Sequence, residues 1–144
     1  MIFRWSMWGE HKIKNMELLK YSILSFKKRF GNDHNYVVYT DDVLLIQKEL
    51  DGIAIVLGFN SKTESKYNIK SKATWMKWAP DAKLNINETE VYVDSDVFLL
   101  KYPIEIDEFL KNPKPKFAIL DEFFGQSWQH GAMQRKTTSG TPFI

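Results

Sequence analysis

Asp94 and Asp96 are the residues of this chain best suited to do chemistry. They stand at i and i+2 where an apolar run ends, in Val91-Tyr92-Val93-Asp94-Ser95-Asp96, and the chain turns apolar again through Val97-Phe98-Leu99-Leu100. Alternate residues of an extended chain point to the same side, so the two carboxylates project together from the end of a strand. Two hard anionic oxygen ligands side by side suit Mg²⁺ or Mn²⁺ when phosphate oxygens complete the shell. The chemistry indicated is that of a metal-bridged diphosphate, as in reactions of nucleotide-sugars. Asp41-Asp42 and Asp121-Glu122 also follow apolar runs. Thr40-Asp41-Asp42 before an apolar stretch equally fits a helix N-cap, and Asp121-Glu122 fits a surface loop. His11, His34 and His130 are widely separated, and no pair has the spacing of metal ligands. With no cysteine in the chain, disulfides, thiolate metal sites and cysteine nucleophiles are excluded.

The elements that must hold these residues alternate between strand and helix. Ile2 to Trp5 predicts a first strand, followed by a loop through Gly9. Met16, Leu19, Ile23, Phe26 and Phe30 recur at spacings of three and four, which predicts a helix over about 15–30 closed by Gly31-Asn32. Tyr36 to Thr40 is a second strand, Val43 to Leu50 a short helix, and Ile53 to Leu57 a third strand. Tyr67 to Ala79 predicts a helix stopped by Pro80, before the acidic strand at 90–94. A short helix over 104–111 and a strand over 117–120 complete the series. Strands apolar on both faces predict an α/β fold, a mostly parallel sheet with helices on both faces, and ligands in such sheets sit beyond the carboxyl ends of the strands.

The 144 residues suffice for one domain with a real core, 44% of them hydrophobic and 26% charged. Net charge is only +2, and the short Lys27-Lys28-Arg29 run lies on the polar side of a predicted helix, so no nucleic-acid partner is expected. No apolar stretch approaches the roughly 18 residues of a membrane span, and the N-terminus lacks a signal-peptide core, so the expectation is a cytoplasmic protein without a transmembrane segment.

Three features together carry a family resemblance: Tyr39-Thr40-Asp41-Asp42 after the second strand, Lys72 on the Trp75- and Trp78-bearing helix before the motif, and Val93-Asp94-Ser95-Asp96 itself. Over roughly residues 1–122 the chain resembles the GT-A class of glycosyltransferases, particularly glycogenin-like and related bacterial enzymes. The resemblance implies a Rossmann-like nucleotide-diphospho-sugar transferase fold and metal-dependent transfer of a sugar from a nucleotide-diphosphate donor, a UDP-sugar by family, to an acceptor. It implies that Asp96 binds Mn²⁺ or Mg²⁺ directly, and that Asp94 shares the metal and lies near the ribose. It implies that Lys72, with Lys77 as alternate, reaches the donor, that Arg4, Trp5 and Ser6 lie in a loop against base and ribose, and that Asp41 or Asp42 lies near the nucleotide.

In that class an acceptor-binding half follows the donor-binding half. The expectation is therefore a single nucleotide-sugar-binding domain over 1–144, with a core over 1–122, a loop-like tail over 123–144 and the acceptor half missing. Two alternatives stand beside the transferase: a non-catalytic donor-binding or assembly fragment, and a haloacid-dehalogenase-like phosphatase, whose first aspartate is a nucleophile. The phosphatase motif expects Thr or Val four residues after that aspartate, where this chain has Phe98, and it usually lies near the N-terminus.

Overall fold

The computed structural model describes residues 1–58, 84–85, 87–111, 118–119 and 142–143. Their elements run β1 (Ile2–Met7), α1 (Met16–Phe30), β2 (Asn35–Thr40), α2 (Val43–Glu49), β3 (Ile55–Gly58), β4 (Glu90–Tyr92), α3 (Ile104–Leu110), β5 (Ala118–Ile119) and β6 (Pro142–Phe143). These strands form one sheet in the order β3-β2-β1-β4-β6-β5. The pairs β1–β2, β2–β3 and β1–β4 are parallel, and β6 runs antiparallel between β4 and β5. This is the expected α/β class with a mostly parallel sheet, and the acidic motif follows a central strand. Among the described residues, no helix is long and apolar enough to cross a membrane.

The strands' alternation sorts side chains onto two faces. Phe3, Trp5 and Met7 of β1 share one face with Tyr36, Val38 and Val91, and they pack against Met16, Leu19, Ile23 and Phe26 of α1 and Ile46 and Leu50 at α2. Each such side chain, when fully buried, contributes about 1.5–3 kcal/mol of hydrophobic stabilisation. The other face carries Ile2, Val37 and Tyr39, with Trp8 and Leu57 against them. The helix expected over residues 67–79 lies outside the described residues.

Local chemistry explains the helix ends. Glu17 in the first turn of α1 and Lys27, Lys28 and Arg29 in the last complement its dipole, and Gly31 ends it at φ 81°, a conformation suited to glycine. Asp42 caps α2, its carboxylate accepting from the Leu45 N–H at 3.2 Å.

Two expectations are corrected. β1 continues to Met7, so Arg4, Trp5 and Ser6 lie within the strand and not in the loop after it. The tail is not loop throughout, because Pro142–Phe143 forms β6 and pairs with Val91 and Ala118. A short apolar pair has no period of its own, and the open edge of β4 supplies the pairing partner.

Candidate functional site at the carboxyl ends of the strands

In the order β3-β2-β1-β4, successive strands are added on one side of β1 and then on the other. The order reverses between β1 and β4, and open α/β sheets bind ligands beyond the carboxyl ends of the strands at such a point. Asp94 and Asp96 stand there. The Val93 N–H donates to the Arg4 carbonyl at 2.7 Å and carries the ladder one residue past β4. The Val97 N–H then donates to the Asp94 carbonyl at 3.1 Å, closing a turn over residues 94–97.

Beyond that turn the chain runs alongside α1. The Ser22 hydroxyl donates to the Val97 carbonyl at 2.6 Å, and the Leu99 N–H donates to Ser25 Oγ at 2.9 Å. Arg29 donates to the Leu100 carbonyl, and the Tyr102 ring lies 4.9 Å from that of Phe30. These contacts descend α1 in order from its middle to its C-terminus. Since α1 leads from the carboxyl end of β1 to the amino end of β2, the chain reverses direction at the acidic turn. Ser22 Oγ also accepts from Trp5 Nε1 at 2.9 Å, so β1, α1 and the turn share one buried relay.

The two carboxylates differ in setting. Asp96 is exposed and makes no hydrogen bond or ion pair among the described residues. Asp94 is half-buried, and its Oδ1 accepts from the Tyr92 hydroxyl at 2.8 Å. Burial first, then the neighbouring Asp94 charge, pushes the Tyr92 phenol far above its usual range, so it remains a donor. Among the described residues, no three His, Asp or Glu side chains gather into a metal site.

The acidic pair at the end of β2 is engaged locally. Asp41 accepts from Lys12 Nζ at 2.7 Å and from the Gly9 N–H at 3.4 Å, which ties the loop after β1 to the end of β2. Asp42 serves as the cap of α2 and lies 3.9 Å from Lys12 Nζ. Both carboxylates sit at the carboxyl end of β2, and both do structural work there.

Arg4 and Trp5 are not at the site's surface. Trp5 is fully buried against α1, its indole N–H satisfied by Ser22. Arg4 is only 1% exposed and lies on the opposite face, with Nη1 2.6 Å from Glu90 Oε1 and its guanidinium carbon 5.5 Å from the Tyr92 ring centroid. Desolvation lowers the Arg4 pKa, opposed chiefly by the Glu90 charge. Ser6, half-buried, lies beside the Tyr92 hydroxyl. No protein-family model and no curated protein matches this chain.

Lys72, Lys77, Trp75, Trp78, the Asp121-Glu122 pair and His130 lie outside the described residues. The site residues missed from sequence are Tyr92 and Ser22. Tyr92 lies two residues before Asp94, on the same side of the strand by alternation, and that spacing was legible. Ser22 carries no such sign, since its partners are 17 and 75 residues away.

Proposed function

We propose that this chain provides the donor-binding part of a metal-dependent glycosyltransferase of the GT-A type, holding a nucleotide-diphosphate-sugar, a UDP-sugar by family, beyond the carboxyl ends of β1 and β4. The observation that carries the reading is the position of Asp94 and Asp96: both follow a central parallel strand at the point where the strand order reverses. Among the described residues the motif follows the fourth strand in chain order, which favours the transferase over a phosphatase.

The donor set fits a divalent cation. Mg²⁺ and its analogues are commonly held by one or two carboxylates with phosphate oxygens and water filling the shell, so two aspartates suffice when the diphosphate is present. Asp96, exposed and unengaged among the described residues, would be the direct ligand, with Asp94 beside it. A bound cation there would offset the charge that builds on the diphosphate leaving group as the sugar–oxygen bond breaks. The chain's own part is to hold the two carboxylates in place: the turn over 94–97 fixes their spacing, and the contacts from Ser22 and Ser25 hold the chain that follows.

Calorimetric titration of UDP with MnCl₂ and with excess EDTA tests this. Wild type should bind UDP in a cation-dependent way, and Asp96→Asn should lose the cation-dependent part while its melting temperature stays near that of wild type. UDP binding that is equal in EDTA and unchanged in Asp96→Asn refutes the metal role.

A further inference from the structure

We propose that Tyr92 is a positioning residue for Asp94, and that cation binding at the acidic turn depends on the Tyr92 hydroxyl. The proposal rests on the donor-site reading above and adds to it the residue that orients the first aspartate. A carboxylate at the start of a turn, half in water, is free to rotate about its side-chain bonds unless something holds it. Here the Tyr92 hydroxyl donates to Asp94 Oδ1 at 2.8 Å and restrains that carboxylate.

Tyr92 is itself immobile, with only 2% of its surface exposed. The Arg4 guanidinium stands over its ring, and the Ser6 hydroxyl lies beside its phenol oxygen. Arg4 is fixed in turn by Glu90, 2.6 Å away and equally buried. The parallel register sets Ile2 beside Glu90 and Arg4 beside Tyr92, so these groups line one seam between β1 and β4. The seam leads from a buried ion pair to the carboxyl end of β4, and Asp94 stands at its outer end.

Groups that hydrogen-bond a metal-binding carboxylate orient it and tune its affinity, and their loss typically weakens metal binding about 10- to 100-fold. Phenylalanine fills the same space as tyrosine, so Tyr92→Phe removes the hydroxyl and little else. Ser6→Ala keeps the phenol but loosens it, and should act in the same direction with a smaller effect.

Mn²⁺ is titrated into each full-length variant in the presence of saturating UDP, with free Mn²⁺ read by electron paramagnetic resonance and stability followed by urea unfolding. Tyr92→Phe should weaken Mn²⁺ binding about 10- to 100-fold, more than any change in unfolding midpoint explains. A purely structural role would shift the unfolding midpoint and leave Mn²⁺ affinity unchanged; that result overturns the proposal and leaves the donor site standing. If Tyr92→Phe does not fold, unchanged Mn²⁺ affinity in Ser6→Ala overturns it equally. Wild-type protein that binds no Mn²⁺ with UDP overturns both the proposal and the donor-site reading beneath it.

Discussion

Replacing Ser22 with alanine removes a side-chain oxygen that joins β1, α1 and the acidic turn. Ser22 Oγ accepts from Trp5 Nε1 at 2.9 Å and donates to the Val97 carbonyl at 2.6 Å, and both Ser22 and Trp5 are fully buried. Without the hydroxyl the indole N–H has no acceptor and no path to water. A buried donor left unsatisfied costs about 1–3 kcal/mol. Val97 is half-buried, so water replaces part of its lost bond and the added cost is about 0.5–1 kcal/mol. Alanine's higher helix propensity offsets about 0.5 kcal/mol. The net destabilisation expected is about 2 kcal/mol. Urea unfolding followed by circular dichroism reads it as a lower midpoint with an unchanged slope. In a Trp5→Phe background the acceptor has no indole to serve, so Ser22→Ala should cost about 1 kcal/mol less there. A loss below about 0.5 kcal/mol, or the same loss in both backgrounds, refutes the relay.

Glu90→Gln should destabilise by about 3–5 kcal/mol in the same assay, because it leaves the Arg4 charge buried without its counter-charge, and Arg4→Met combined with Glu90→Leu should recover most of that loss. A cost for Glu90→Gln below about 1 kcal/mol refutes the buried pair as a stability determinant. Burial pushes the Tyr36 phenol up to about 12 from its ordinary value of 10. The folded state therefore holds this proton more tightly than the unfolded chain, so its stabilising contribution is full below pH 10 and is lost as pH rises from 10 to 12. Tyr36→Phe should flatten the fall in urea midpoint across that window, and a profile parallel to wild type contradicts the assignment.

The order of elements was legible because it is written in local patterns. The three- and four-residue spacing of Met16, Leu19, Ile23 and Phe26 defined α1, and the structure places that helix at Met16–Phe30, one residue from the expected start. The apolar runs ending in Asp41 and Asp94 marked β2 and β4, and Thr40-Asp41-Asp42 marked the cap of α2. The position of Asp94 and Asp96 at the end of a central strand also followed from sequence, since alternation and an abrupt change from apolar to acidic need no distant partner.

Tertiary structure decided what depends on residues far apart in the chain. The strand expected to end at Trp5 runs on to Met7, and Arg4, which the resemblance placed in a loop against base and ribose, is buried within that strand beside Glu90 of its neighbour. Trp5, placed in the same loop by the resemblance, is core, its indole N–H satisfied by the hydroxyl of Ser22 on the covering helix. Pro142–Phe143 has no strand pattern of its own, and only the open edge of β4 turns it into β6. A local sequence can state which face a side chain takes and where an element ends. Whether a polar group there meets water or a buried partner is settled by the register of strands brought together from opposite ends of the chain.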